Sequence, residues 1–137
     1  MNPRPVWLSA ALIVLTMMAG LAVRFGHLGL PTVVMKFGGS ALWAMMIYWL
    51  ISAALFAWPV RRAALSAGAI ATLVELLKLV HTPSLESFRR TTAGVLLLGR
   101  IFSFTDIAVY WTAIAAAATI DRRLRRCLQE RYGTPLQ

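Results

Sequence analysis

Residues 94–110 read GVLLLGRIFSFTDIAVY, an apolar run into which Arg100 and Asp106 bring opposite charges. The rest of the run is typical of a helix that faces lipid. A charged side chain at the centre of a membrane helix costs about 2.5–3.5 kcal/mol on insertion scales, so each one needs a partner or a function. The stretch therefore predicts a membrane helix with a polar site near its start.

The composition of the whole chain predicts the same environment. Of the 137 residues, 59% are hydrophobic and 14% are charged. A soluble fold of this size leaves too much of its surface in water to hide such an apolar fraction, so lipid is the expected solvent for most side chains. The alternative is a very apolar soluble helical bundle.

The formal net charge is +9, but its distribution argues against a nucleic-acid-binding protein. The basic residues lie between the apolar runs and at the C-terminus rather than along one solvated face. Such flanks are typical of membrane spans and attract anionic lipid headgroups. Cys127 is the single cysteine, which excludes an intramolecular disulfide and a thiolate metal cluster.

Four segments are long enough to cross a bilayer, which takes about 20 helical residues. They lie at about 6–23, 40–60, 63–80 and 102–120. Backbone groups in lipid must be hydrogen-bonded within their own segment, so the segments are predicted to be helices. The first apolar run is long for a signal-peptide core and no clear Ala-x-Ala cleavage site follows it, so an uncleaved span is favoured.

The predicted fold class is therefore an all-α integral membrane protein, a single transmembrane helical domain over residues 1–137. A short helix at about 84–98 precedes the last span. Its apolar part, 92–98, is too short to span and is interpreted as interfacial or re-entrant, with a fifth, shortened span as the alternative. Gly38-Gly39-Ser40 is expected to open the second span as a hinge.

The distribution of Lys and Arg predicts the orientation. With four spans, both termini share a side with the connection between the second and third spans. More basic residues lie on that side, and DRRLRR after the last span is the strongest local signal. We therefore predict that both termini are cytoplasmic.

The third and fourth spans each carry a polar stripe. Glu75 and Lys78 are three residues apart and so share a helix face, as do Asp106 and Tyr110, four residues apart in the fourth span. Because these charges are too costly to face lipid singly, we expect them to meet in one polar cluster near the extracytoplasmic side. The predicted members of the cluster are Glu75, Lys78, Arg100, Asp106, Tyr110, Lys36 and Arg89.

Three interpretations of this cluster remain open from the sequence. It could be a buried ion-pair cluster that fixes helix register, an outward pocket for an anionic headgroup or a lipid-linked substrate, or a proton or ion pathway. Metal-ligand spacings, nucleophile motifs and phosphate-cradling loops are absent from the sequence. No catalytic residue, metal or cofactor is predicted.

The runs LGLPTVVMKFGGSALWAMMIYWL and VELLKLVHTPSLESFRRTTAGVLLLGRIFSFTDIAVYW resemble a family of small bacterial multi-pass membrane proteins whose domain has no assigned function. The resemblance covers about residues 28–120. It is carried by Lys36, Gly38, Gly39, Leu42, Trp43, Glu75, Arg89, Gly99, Arg100, Phe102, Asp106 and Tyr110. A more distant similarity is to VanZ-like proteins, although this chain has Lys78 where their pattern has Gln. The resemblance implies an inner-membrane protein without an established biochemical activity.

The function predicted first is a non-enzymatic envelope protein whose polar cluster binds an anionic lipid headgroup or an envelope partner. The alternatives are a small intramembrane enzyme, with Glu75 or Asp106 as acid or base and Arg100 holding a phosphate, and a small transporter. The expected partners are membrane lipids and either a second copy of the chain or another membrane protein. Nucleic acid is not an expected partner.

Overall fold

A computed structural model of the chain describes residues 4–26, 29–98 and 101–132. These residues form six helices and no strand, which confirms the predicted all-helical class. The helices are α1 Val6–Phe25, α2 Thr32–Ala54, α3 Val60–Leu77, α4 Pro83–Arg89, α5 Thr92–Leu97 and α6 Phe104–Tyr132. Arg100, a predicted site residue, lies outside the described ranges.

Prolines mark the beginnings of the first four helices. Pro5, Pro31 and Pro59 immediately precede α1, α2 and α3, and Pro83 is the first residue of α4. Proline has a fixed φ and no backbone N–H. At the start of a helix this costs no hydrogen bond, because the N–H groups of the first turn have no carbonyl partner within the helix. The chain therefore places its helix starts through a local signal.

The helix α2 begins at Thr32, earlier than the predicted start of the second span near residue 40. Gly38 and Gly39 therefore lie inside a helix, and the expectation that they form a hinge is wrong. Pro31 supplies the start signal upstream of them. An added Cβ on Gly38 would lie 3.6 Å from the Val23 side chain, so Gly38 stands where α1 comes close to α2.

Two other boundaries also differ from the predictions. The helix α6 continues for another twelve residues past the predicted end of the fourth span at 120. The predicted short helix at 84–98 is two helices, α4 and α5, separated at Thr91, whose hydroxyl accepts a hydrogen bond from the backbone N–H of Gly94. A side-chain cap of this kind starts a new helix rather than continuing the old one.

The helix α2 packs against α1, α3 and α6, and α3 also packs against α6. Trp43 lies beside Tyr110, and Ser52 bonds to Asp121, so α2 and α6 run in the same direction. Glu75 bonds to the backbone of Ser103 at the start of α6, so the end of α3 meets the beginning of α6. The polar residues consequently gather at two opposite ends, which we call the Glu75 end and the Asp121 end.

Small residues form much of the core between the two ends. Ala63, Ala67 and Ala71 repeat every four residues on α3, and Ala113 and Ala117 do so on α6; all are buried. Small side chains on facing stripes allow helix backbones to approach closely, which is the main source of packing energy between helices in lipid.

The helices α1 and α2 are long and apolar enough to cross a membrane. Within α1, Ser9 is the one buried residue, and large apolar side chains such as Val14, Leu15 and Met18 are exposed. A helix with apolar side chains on its free surface is suited to a lipid environment.

Candidate functional site

Glu75 is the centre of the polar cluster at the Glu75 end and is fully buried. Its Oε2 accepts a hydrogen bond from the Tyr110 hydroxyl at 2.8 Å and lies 2.5 Å from Nζ of Lys78. Its Oε1 accepts a hydrogen bond from the backbone N–H of Ser103 at 2.8 Å. Both carboxylate oxygens are thus occupied, and Glu75 joins α3 to α6.

Asp106, one turn before Tyr110 on α6, has a different environment. It is buried, yet among the described residues its ion-pair partner is Lys36, whose Nζ lies 4.0 Å from Oδ1 and whose side chain is 53% exposed. Within the described part of the chain, no donor forms a hydrogen bond to this buried Oδ1. Asp106 therefore retains acceptor capacity that Glu75 does not have.

A cavity of about 420 Å³ opens beside these groups. Its polar lining consists of Arg24, Thr32, Lys36, Ser40, Lys78, Asp106 and Tyr110. Its apolar wall comes from residues such as Trp43 on α2, Val74 on α3 and Leu98 after α5. A mixed lining of this kind, with a few convergent polar groups on an apolar surface, is typical of small-ligand sites.

The aromatic pair Trp43 and Tyr110 positions the cluster from the α2 side. The ring centroids are 5.4 Å apart and the planes are inclined by 48°. This contact holds the Tyr110 ring, whose hydroxyl in turn orients Glu75. The side chains of three helices thereby determine the shape of the cavity wall.

The structure brings five of the seven predicted site residues together, and these five form the Glu75 cluster: Glu75, Lys78, Asp106, Tyr110 and Lys36. A sixth, Arg89, is buried but lies outside the cluster, so its predicted pairing with the cluster acids is not observed. Its guanidinium donates to the carbonyl oxygens of Leu77 at 2.6 Å and Val80 at 3.0 Å, and lies 3.4 Å from Glu86. Arg89 thus satisfies the free carbonyl groups at the end of α3.

A family model described as "Protein of unknown function (DUF2809)" matches residues 29–114. The chain belongs to this family. The match confirms the predicted likeness to a family without an assigned function, and it gives no support to the VanZ likeness or to a bacterial origin. It contains all five members of the Glu75 cluster, so the cluster lies within the part of the chain that defines a DUF2809 protein. No solved structure matches this chain.

The DUF2809 chain has a second buried polar cluster that the sequence reasoning missed. We call it the Asp121 cluster: Arg4, Tyr48, Ser52, Asp121 and Arg125. Asp121 is fully buried, and its Oδ2 accepts hydrogen bonds from the Tyr48 hydroxyl at 2.5 Å and the Ser52 hydroxyl at 3.1 Å. Its Oδ1 lies 2.9 Å from Nε of Arg125 and 3.2 Å from Nε of Arg4. Arg4, Arg125 and Asp121 fall outside the residues that the family model matches.

Part of the Asp121 cluster has a sequence signal. Tyr48 and Ser52 on α2, and Asp121 and Arg125 on α6, are each four residues apart and therefore share a helix face. In the sequence, the arginines serve only to predict the orientation in the membrane, and no short-range spacing links Arg4 to Asp121. That contact depends on how α1 packs against the bundle.

The described residues include no group of three or more His, Cys, Asp or Glu side chains that could hold a metal ion. The chemistry available at the Glu75 end is hydrogen bonding and charge pairing, with Asp106 as the acceptor that is not yet saturated.

Proposed function

We propose that this DUF2809 protein is a four-span membrane protein whose cavity at the Glu75 end binds the anionic headgroup of a lipid. The first support is the bundle itself. The helices α3 and α6 pack along α2, which is apolar enough to span, so the three helices share the same layer. Glu75 and Lys78, toward one end of α3, are buried and paired with each other, as lipid requires.

The proposed orientation has both termini in the cytoplasm of a bacterial inner membrane. It is supported by the excess of basic residues at the Asp121 end, where Arg61, Arg62, Arg122 and Arg123 are exposed. The Glu75 end then faces the opposite side. This orientation places the cavity near the outer leaflet.

The observation that carries the headgroup proposal is the charge around the cavity. Arg24, Lys36 and Lys78 line it, against the carboxylates of Asp106 and of Glu75 behind it. Lys78 forms a close ion pair with Glu75. Lys36, in contrast, is half exposed, and its Nζ lies 4.0 Å from Oδ1 of Asp106, which is a long ion pair. Lys36 and Arg24 are therefore the donors available to a phosphate, and the apolar wall is available to the start of an acyl chain.

The binding test compares Lys36→Gln with Arg90→Gln in the purified protein. Arg90 is an exposed cation near the same end that does not line the cavity. We expect Lys36→Gln to weaken binding of phosphatidylglycerol, measured by native mass spectrometry of lipid-doped micelles, by about tenfold, because a charge-assisted hydrogen bond contributes about 1.5–3 kcal/mol. Arg90→Gln should leave binding within about twofold of wild type, as expected for a screened surface charge. Equal losses in the two variants would show that the attraction is only a general surface charge effect.

A second candidate function rests on Asp106 alone. Its Oδ1 is buried and accepts no hydrogen bond from the described residues, and Asp106 lines the cavity. A general base that takes a proton from a bound substrate needs such a free acceptor. In that case the ligand would be a lipid-linked substrate that the protein converts, and Asp106→Asn would retain binding but abolish turnover. Incubation of the wild-type protein with a candidate lipid, followed by mass analysis for a product, separates this enzyme from the favoured binder.

A further inference from the structure

The Asp121 cluster contains one more positive charge than it can neutralise. Among its described members, two buried guanidinium groups, Arg4 and Arg125, face a single carboxylate, Asp121. Burial of an uncompensated charge is costly, so such a group is expected to have a further partner. Burial lowers the pKa of Arg4 from its ordinary value, and Asp121 opposes this shift.

The acceptors inside the cluster are already in use. Asp121 accepts hydrogen bonds from two hydroxyls and from Nε of Arg125, and it forms an ion pair with Arg4. The Ser52 oxygen accepts from Nη2 of Arg4 at 2.8 Å and Nη2 of Arg125 at 3.0 Å. In the described chain, the buried Nη1 atoms of Arg4 and Arg125 have no hydrogen-bond partner. Two guanidinium donors therefore remain unsatisfied within one cluster.

A cavity of about 400 Å³ is lined by the side chains of both arginines. Arg4, Arg125, Ser9 and Ser52 provide its polar lining, and Ala10 and Phe56 belong to its apolar side. The Phe56 side chain is 63% exposed at the end of α2, so the apolar side continues onto the lipid-facing surface of the bundle. The cavity therefore offers room for a ligand, two positively charged side chains and an apolar approach.

We propose that this cavity binds a phosphate group between Arg4 and Arg125, independently of the site at the Glu75 end. A phosphate oxygen accepts from guanidinium N–H groups in a geometry that matches their planar fork, and its charge completes the neutralisation of the cluster. The ligand class is a phosphate monoester or diester. The apolar approach favours the phosphate of a lipid over the free ion.

The first experiment uses the full chain in a neutral detergent and measures its melting temperature with added ligand. The probes are dihexanoyl phosphatidic acid, inorganic phosphate and, as the uncharged control, dihexanoylglycerol. Since a ligand that binds the folded state stabilises it, phosphatidic acid should raise the melting temperature and dihexanoylglycerol should not. An equal rise with inorganic phosphate would identify the free ion as the source, and no rise with either anion would overturn the proposal.

The second experiment locates the binding with Arg125→Lys and, as its matched control, Arg122→Lys. The lysine at 125 keeps a positive charge beside Asp121 but lacks the Nη1 donor, whereas Arg122 is exposed on the same turn of α6. We expect Arg125→Lys to raise the Kd for phosphatidic acid about tenfold and Arg122→Lys to change it less than twofold. Equal affinities in both variants would contradict the assignment.

A third variant keeps the test decisive should Arg125→Lys fold poorly. Ala10→Phe enlarges an exposed side chain at the edge of the cavity and leaves the cluster hydrogen bonds intact. It should block phosphatidic acid and reduce the rise in melting temperature to less than half that of the wild type. Lys36→Gln, at the other end, should leave this binding unchanged, which separates a failure here from a failure of the proposed headgroup site. Wild-type binding by Ala10→Phe would place the ligand elsewhere.

Discussion

The two polar clusters lie about fifteen residues apart along α6, or about 22 Å at the helical rise, and they use their acids differently. Asp121 is enclosed by three hydrogen-bond donors from α2 and α6 and by the guanidinium of Arg4, two residues before α1. Asp106 has one half-exposed lysine at 4.0 Å and an oxygen without a hydrogen-bond donor in the described chain. Asp121 thus joins three parts of the fold. Asp106, at the Glu75 end, is left available to a ligand.

The largest expected effect comes from Asp121→Asn. Loss of the carboxylate charge leaves two buried guanidinium groups without a counter-charge, and breaking a buried pair in this way costs about 3–5 kcal/mol. The free energy of unfolding in detergent, from denaturant titration, measures it. Glu130→Gln, an exposed acid further along the same helix, is the control and should change stability little. A loss below about 1 kcal/mol for Asp121→Asn would show that the cluster does not hold the helices together.

Glu75→Gln should cost less, about 2–3 kcal/mol, because the amide oxygen still accepts one of the hydrogen bonds from Tyr110 and Ser103. Lys78, which lines the cavity, is left without its close counter-charge but can turn toward solvent. The same unfolding measurement applies, again with the exposed Glu130→Gln as the control. If Glu75→Gln destabilised more than Asp121→Asn, the contrast between the two ends would be reversed.

Gly94→Ala should perturb the Glu75 end selectively. A methyl group at this position would overlap the backbone carbonyl of Phe88, so α5 would have to move away from α4. Overpacking of this kind costs about 1–2 kcal/mol, and the wall formed by Val95 and Leu98 would move with it. Phosphatidylglycerol binding should weaken while binding at the Asp121 end is retained.

Gly39→Ala is the control for that experiment. Gly39 also lies at the cavity, but a Cβ there meets nothing within 4 Å. Since alanine is favoured over glycine inside a helix, this variant should be more stable by roughly 0.5–1 kcal/mol. If Gly39→Ala and Gly94→Ala destabilised equally, the close contact between α4 and α5 would not be the cause.

The smallest expected change in stability is that of Lys36→Gln, below about 0.5 kcal/mol, because its ion pair is long and its side chain is half exposed. Its effect should appear in lipid affinity instead. A thermal unfolding curve close to that of the wild type, together with weakened binding, would show that the pair of Lys36 with Asp106 serves ligand binding rather than stability. A stability loss above about 1.5 kcal/mol would show that the pair with Asp106 is structural.

The sequence by itself determined the helical class, the placement of helix starts at prolines and the polar stripes that carry Glu75 on α3 and Tyr110 on α6. These features follow from spacings of three or four residues and from the fixed φ of proline, which act within one helix. The same local rules did not predict that α2 begins before Gly38, because glycine is only weakly disfavoured in a helix that packs closely against another.

Only the tertiary structure decided what each charged residue contacts. Arg4 meets Asp121 because α1, antiparallel to α2, begins at the end where α6 carries its acid. Arg89 turns away from the cluster acids to the carbonyl groups that α3 leaves free. These partners are distant in the chain and carry no shared periodicity. Their choice depends on the direction and contact of whole helices, because a buried charge takes whichever counter-charge or carbonyl group the packing brings within reach.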